Sequence, residues 1–233
     1  MVKLNVNLTS FLNGLDQWGG SVSMMWEVFQ RWQKENGASL LFSLQVEAGD
    51  DVEKYRKFID KKGISGLIAS QVQDLEQVEV LIALRPKAII LQVEDDWLQN
   101  HSGSRLYNEQ LDNVAQIALQ ARAKKITTQV VIDPSPHRMV DVGRLGIQLV
   151  WLKATALETE EEVDRYVTCA RIAVDHGIQI GIGPGFSVEQ LKWILESVPH
   201  LDALMVGRQF FAESFCKGVS ANLQTYMKQI RNY

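Results

Sequence analysis

The chain has 233 residues, of which 46% are hydrophobic and 22% charged, and its formal net charge is -4. This is the composition of a globular protein with enough apolar residues for a sizeable core. The acidic balance argues against nucleic acid or an anionic membrane surface as a partner. No apolar run approaches the roughly 20 residues of a membrane span, and the first residues, MVKLNVNLTS, lack the apolar core of a signal peptide. We therefore expect a cytoplasmic protein with one domain over residues 1–233.

Short apolar runs typical of strands alternate with amphipathic helical patterns along the whole chain. The predicted strands, in chain order, are residues 3–8, 40–46, 66–69, 88–93, 127–132, 148–153, 179–182 and 203–206. The predicted helices that follow them are residues 22–35, 52–61, 75–84, 108–124, 136–145, 160–176, 188–197 and 209–231. Such alternation predicts parallel strands with helices outside them. Eight units in this length indicate the α/β class and a single (β/α)8 TIM barrel, with an open doubly wound sheet as the alternative.

In a barrel of this kind the active site lies at the carboxyl ends of the strands, and phosphate often binds after strands seven and eight. Gly183 and Gly185 follow the seventh predicted strand, and Gly207 and Arg208 follow the eighth. Glycines let backbone N–H groups approach an anion at a helix amino terminus, and arginine adds a permanent positive charge. We therefore predict that these four residues bind phosphate, although glycines also occur in turns for purely conformational reasons.

Several stretches resemble the pyridoxine 5'-phosphate synthase family. They are LNVN at the first strand, ALRPKAIILQVE at the fourth, VVIDPSP at the fifth, GIGPGFS at the seventh, and the long segment VPHLDALMVGRQFFAESFCKGVSANLQTYMKQI. Members of this family are barrel enzymes that close the vitamin B6 ring from an amino-ketone phosphate and deoxyxylulose phosphate. The resemblance therefore implies the same fold and a small phosphorylated ligand, and it implies no cofactor.

The resemblance also implies that this chain has lost most of the family's reacting groups. The family's catalytic glutamate after the third strand corresponds to Ser70, and the glutamate and histidine of its sixth strand correspond to Trp151 and Lys153. Pro184 stands where the family has the histidine of a Gly-His-Gly motif. After the second strand the family's histidines and arginines are missing, and only Glu47 matches.

Ring closure needs several proton transfers, and each positioned group typically contributes about 10²–10⁴-fold to the rate. Loss of these groups is expected to abolish the family reaction, so we hypothesise a phosphorylated ligand handled by altered chemistry. One alternative is an inactive protein that binds a vitamin B6 phosphate or a protein partner. Another is retained synthase activity, with His101 or His137 replacing the lost histidines. The predicted substrate pocket comprises Asn7, Ser70, His101, Gly103, His137, Trp151 and Pro184.

Lys153 is the most informative of the remaining polar residues, because it follows a strongly apolar strand whose alternation turns it into the barrel with Trp151. Apolar surroundings favour a neutral amine, which can form a Schiff base with a carbonyl group. Alternatively, Lys153 is a charged partner of Glu47 and Asp133 or a phosphate contact. Glu47 and Asp133 are predicted to transfer protons, although Glu47 also fits a helix cap. The predicted catalytic residues are therefore Glu47, Asp133 and Lys153.

Large apolar residues cluster in the first predicted helix, which predicts a contact with another subunit and hence a homo-oligomer. They are Met24, Met25, Trp26, Phe29 and Trp32. Core packing is the alternative explanation for these residues. The histidines and the two cysteines, Cys169 and Cys216, have neither the spacing of a metal site nor that of a disulfide framework, so we predict no bound metal ion.

Overall fold

The computed structural model describes residues 2–9, 38–43, 52–62, 64–69, 75–92, 105–154 and 159–233, together with residues 27, 29–31, 33 and 34. The strands are β1 Lys3–Asn7, β2 Ser39–Ser43, β3 Ile64–Ala69, β4 Ala88–Gln92, β5 Thr127–Ile132, β6 Leu149–Leu152, β7 Gln179–Ile182 and β8 Leu201–Val206. The described helices are α1 Val52–Lys62, α2 Leu75–Ala83, α3 Arg105–Ala123, α4 Pro136–Gly143, α5 Glu160–Asp175, α6 Val188–Ser197, α7 Arg208–Lys217 and α8 Val219–Asn232.

The strands form a closed barrel in the order β1 to β8. Each strand pairs in parallel with the next, and β8 pairs with β1, where Lys3 lies opposite Ala203. The predicted (β/α)8 TIM barrel is therefore confirmed, and the open doubly wound sheet is excluded. Because all strands run the same way, their carboxyl ends meet at one end of the barrel, which we call the mouth.

Alternation along each strand separates two apolar regions. In β1, Leu4 and Val6 are buried in the layer between the strands and the helices. The helices cover the outside of this layer with buried residues three or four positions apart. In α5 these residues include Tyr166, Cys169 and Ala173. The alternate residues of β1, Asn5 and Asn7, instead line cavities at the two ends of the barrel interior.

The barrel interior contains a separate apolar cluster, made of Leu41, Ile68, Ile90, Val131, Leu149, Trp151, Ala203 and Met205. Trp151 is 1% exposed, and its Nε1–H donates to Oε1 of Gln129 at 2.8 Å. A Cβ atom at position 181 would overlap the indole ring. Gly181 therefore makes the space that lets β6 place its largest residue inside the barrel.

The described residues test two predictions, the single helix over residues 209–231 and the role of Phe29 in the first helix. The predicted helix over 209–231 is wrong as a single element, because Gly218 breaks it into α7 and α8 with φ 77° and ψ 139°. Phe29 is buried in the core and packs edge-to-face on Phe211, with ring centroids 6.0 Å apart, so for this residue the core alternative holds. The other members of the predicted subunit contact, Met24, Met25, Trp26 and Trp32, lie outside the described residues.

Within the part of the chain that the structure describes, no helix combines the length and apolar character needed to cross a membrane.

Candidate functional site

A cavity of about 190 Å³ opens at the carboxyl ends of the strands. We call it the mouth cavity. Its floor is apolar and consists of Ile68, Ile90, Val131 and Met205. Its rim contains Asn7, Lys153, Ala154 and Pro184. Lys153 is therefore the one titratable side chain among the described residues that line this cavity.

Lys153 is held at the mouth by its own backbone. Its N–H donates to the carbonyl of Ile132 at 2.9 Å, which extends the β5–β6 pairing by one residue. Its carbonyl accepts from the hydroxyl of Tyr166 in α5 at 2.7 Å. These two bonds fix the residue directly after β6, so the lysine side chain projects into the mouth cavity as predicted from strand alternation.

Asp133, the residue after β5, lies between two cations. Its Oδ1 is 3.8 Å from Nζ of Lys153, and its Oδ2 is 3.9 Å from a terminal guanidinium nitrogen of Arg138 in α4. Arg138 is only 9% exposed, and a buried cation is costly unless it is paired. Two cations around one carboxylate leave an excess positive charge, which favours an anionic ligand at this side of the mouth.

Arg138 was not among the predicted site residues. The available signal was its position five residues after Asp133, in the first turns of the helix that follows the Asp-Pro-Ser-Pro turn. A strand-end acid followed at this spacing by a basic residue brings the two charges to the same rim of the barrel.

The turn after β7 has little freedom to change. Gly183 and Gly185 both have φ 125°, a region that L side chains rarely adopt. A Cβ atom at Gly183 would overlap the carbonyl oxygen of Met205, and one at Gly185 would lie 2.7 Å from the carbonyl oxygen of Ala154. Glycine is therefore required at both positions by the turn itself. Pro184 between them lines the mouth cavity.

Gly207 differs from these two glycines. A Cβ atom there would make ordinary contacts, 3.5 Å from Cβ of Pro184 and 3.7 Å from Cβ of Asn7, so packing does not require glycine. Such a Cβ atom would lie beside Asn7 and Pro184, two rim residues of the mouth cavity. The first helical hydrogen bond of α7 runs from the N–H of Phe211 to the carbonyl of Gly207. The N–H groups of the earlier residues therefore point out of the helix end.

Arg208 is the first residue of α7 and is exposed. Its side chain is free to approach the same helix end from solvent, where a backbone dipole and unpaired N–H groups favour a negative charge. Gly207, at the amino end of α7, lies next to Asn7 and Pro184 of the mouth cavity rim.

The amino end of α6, which follows the β7 turn, is already occupied by the protein itself. Ser187 and Gln190 form a reciprocal capping box, the arrangement favoured by a serine followed three residues later by a glutamine. Oε1 of Glu213 accepts from the N–H of Val188 at 3.3 Å, and its other oxygen accepts from the hydroxyl of Tyr226 at 3.2 Å. Burial and the Glu213 carboxylate raise the pKa of Tyr226, so this hydroxyl remains a donor. A protein carboxylate therefore takes the place of a ligand anion at α6.

The remaining predicted site residues fall into four groups. Asn7 lines the mouth cavity, and its Oδ1 accepts from the N–H of Thr9 at 3.1 Å. His137 lies in the first turn of α4, is exposed, and its Nε2 is 3.8 Å from a carboxylate oxygen of Asp141. Trp151 lines a second cavity at the opposite end of the barrel and not the mouth cavity. The residues outside the described part of the chain are Glu47, Ser70, His101 and Gly103.

Comparison with known proteins gives one family. The family model described as pyridoxal phosphate biosynthesis protein PdxJ matches residues 44–232. The pyridoxine 5'-phosphate synthase of Christiangramia forsetii is 19% identical over 243 residues, covering 99% of this chain and 100% of the relative. The enzyme of the same name from Flavobacterium johnsoniae is 17% identical, with 99% and 100% covered.

Solved structures share the architecture. The 4-hydroxy-2-oxoglutarate aldolase/2-deydro-3-deoxyphosphogluconate aldolase from TTHB1 superimposes with a TM-score of 0.60 at 15% identity, covering 97% of this chain and 92% of that chain. At this identity the likeness shows the barrel fold alone.

Proposed function

Because the chain belongs to the family of the pyridoxal phosphate biosynthesis protein PdxJ, we propose that it binds a small phosphorylated ligand at the barrel mouth and acts on it by altered chemistry. The observation that carries this proposal is the amino end of α7, where Gly207 lies next to Asn7 and Pro184 of the mouth cavity rim and the N–H groups before Phe211 make no helical hydrogen bond. A phosphate group there would accept hydrogen bonds from the first N–H groups of α7 and from Arg208. The turn at Gly183 and Gly185 forms the adjacent wall.

The chemistry we propose is proton transfer next to a carbonyl group. Lys153, whose Nζ lies 3.8 Å from Oδ1 of Asp133, would donate a hydrogen bond to a carbonyl oxygen and polarise it. Asp133, or Glu47 from the β2 end, would then take a proton from the neighbouring carbon. Schiff-base formation at Lys153 is the related possibility, and it requires that the ammonium first lose its proton.

The second candidate function is an inactive protein that binds a vitamin B6 phosphate or a protein partner. It is favoured by the composition of the mouth cavity, whose described lining contains one titratable residue and no histidine. The same composition disfavours retained synthase activity. His137 is exposed and next to Asp141, so it offers no substitute for the imidazoles that the family uses.

The test measures thermal unfolding with pyridoxine phosphate, pyridoxal phosphate, deoxyxylulose phosphate and other sugar phosphates, each paired with its unphosphorylated form. A ligand at 100 times its Kd stabilises the folded state by about 2.7 kcal/mol. The best binder is then incubated with the protein, alone and with both synthase substrates, and the products are identified by mass spectrometry. Stabilisation with conversion of the ligand supports altered chemistry, and stabilisation without conversion supports the inactive binder. Absence of stabilisation by every phosphorylated compound contradicts the phosphate site.

A further inference from the structure

The barrel holds a second cavity at the amino ends of its strands, opposite the mouth. We call it the amino-end cavity. Its volume is about 360 Å³, against about 190 Å³ for the mouth cavity, and this lies within the range of about 300–1,000 Å³ found for small-molecule sites. Its described lining includes Lys3, Asn5, Lys87, Gln129, Trp151 and Gln179.

The lining of the amino-end cavity is unusually polar for a barrel interior. Such interiors are normally filled by bulky branched apolar side chains. Here the apolar interior cluster ends at Leu41, Trp151 and Ala203, and beyond them the inward positions carry amides and hydroxyls. Among these, Asn5 and Gln129 are only partly exposed. Nδ2 of Asn5 donates to the carbonyl of Leu204 at 3.5 Å, and the remaining hydrogen-bonding capacity of these amides and hydroxyls suits a polar ligand.

The charges around the amino-end cavity favour an anion. Lys3 in β1 and Lys87 just before β4 are both exposed and line the cavity from different sides of the barrel. The acidic residue of the described lining is Asp202, whose Oδ2 already accepts from the N–H of Ile180 at 3.0 Å. Two ammonium groups thus outnumber one carboxylate, and a concave surface with one dominant sign of charge concentrates ions of the opposite sign.

Gln129 adds an oriented donor to this cavity. Its Oε1 accepts from the indole N–H of Trp151 at 2.8 Å, so the opposite end of its amide is the NH₂ group, which can only donate. Gly181 leaves room for the indole ring and thereby supports this arrangement. The NH₂ group of Gln129 and the two lysines therefore present hydrogen-bond donors to the amino-end cavity.

We propose that the amino-end cavity binds a small anion carrying a carboxylate or phosphate group, held by Lys3, Lys87 and the Gln129 amide. Binding is noncovalent and is separate from the mouth. The apolar interior cluster around Trp151 lies between the two cavities, so the site does not depend on the proposed function. Trp151, which was predicted to line the substrate pocket, instead lines this second site.

The test follows the indole N–H cross-peak of Trp151 in ¹H–¹⁵N spectra during titration with inorganic phosphate and, separately, with acetate. Trp151→Phe assigns the peak, and Gln129→Leu provides an independent assignment because it removes the acceptor and leaves the ring in place. A saturable shift is expected with at least one of the two anions. The anion that binds more tightly identifies the preferred group. The backbone N–H of Gly207 in the same spectra reports on the mouth.

Matched variants make the test specific. The double variant Lys3→Gln/Lys87→Gln should raise the apparent Kd at Trp151 about fivefold or more, since each exposed charge contributes modestly. The control Lys192→Gln/Lys228→Gln removes two exposed lysines outside the described lining of the cavity, and Arg208→Ala changes only the mouth. Both should leave the Trp151 titration unchanged. The proposal is overturned if neither anion gives a saturable shift, or if loss of Lys3 and Lys87 leaves the apparent Kd at Trp151 unchanged.

Discussion

Nζ of Lys153 lies 3.8 Å from Oδ1 of Asp133, at the ends of neighbouring strands. The same carboxylate also faces Arg138 at 3.9 Å. This arrangement brings the lysine amine and a carboxylate that can accept a proton together. It is the combination needed to polarise a carbonyl group and to remove a proton beside it, and it lies on the rim of a cavity with an apolar floor.

Replacing Asp133 with asparagine removes the carboxylate that lies 3.8 Å from Nζ of Lys153, so the amine should react more readily with a carbonyl group. We expect a higher yield of borohydride-trapped adduct between Lys153 and pyridoxal phosphate, measured by intact-protein and peptide mass spectrometry. Asp141→Asn, which removes the partner of His137, is the control and should change nothing. An adduct yield that does not rise in Asp133→Asn would show that the ion pair does not control Lys153.

Glycine substitutions should separate folding from binding at the mouth. Gly183→Ala introduces overlap with the carbonyl of Met205 at φ 125°, so it should lower the free energy of unfolding by about 3 kcal/mol. Gly207→Ala has room for its methyl group and should lower stability far less, while weakening phosphate binding about tenfold because the methyl group fills the approach to α7. Urea unfolding and ligand titration measure the two effects. Equal affinity of Gly207→Ala and the parent protein for the phosphorylated ligand would show that the anion does not bind at the amino end of α7.

The fit between Trp151 and Gly181 predicts a strong energetic coupling. Gly181→Ala forces a methyl group against the indole ring and should cost about 1–3 kcal/mol, as expected for overpacking. In a Trp151→Phe background the same change should cost clearly less, since the ring is smaller. A double-mutant cycle by urea unfolding gives the coupling. Additive effects would mean that the two residues do not share this space.

The two cysteines should differ sharply in reactivity. Burial raises the pKa of the Cys169 thiol from 9.0 to about 12, whereas Cys216 is exposed. Because the thiolate is the reactive form, a thiol reagent at neutral pH should modify Cys216 in the folded protein. After unfolding it should modify both cysteines. The neutral Cys169 thiol contributes to stability below pH 9.0, and this contribution should disappear as the pH rises through about 12. Rapid modification of Cys169 in the folded state would contradict its burial.

Much of the fold could be predicted because strand alternation and helical periodicity act locally. The barrel order, the place of Lys153 after β6 and the Ser187–Gln190 capping box all follow from such patterns. The break at Gly218 could not be read in the same way, because the apolar spacing continues across it and only the backbone conformation reveals the turn.

The candidate site was harder to predict because its geometry depends on residues far apart in sequence. Nothing near Glu213 in the sequence indicates that its carboxylate accepts a hydrogen bond at the amino end of α6. Sequence spacing also placed Trp151 correctly inside the barrel, but it could not tell which end of the barrel the indole ring would line.

The central claim is that a phosphate group binds at the amino end of α7, and calorimetry tests it most directly. Pyridoxine phosphate and pyridoxine are titrated into the parent protein and into Arg208→Ala, whose exposed charge should contribute about fivefold to affinity. We expect the phosphorylated compound to bind the parent protein, the unphosphorylated one to bind far more weakly, and this difference to shrink in the variant. Equal affinity for the two compounds, or identical titrations of the two proteins, would contradict the account.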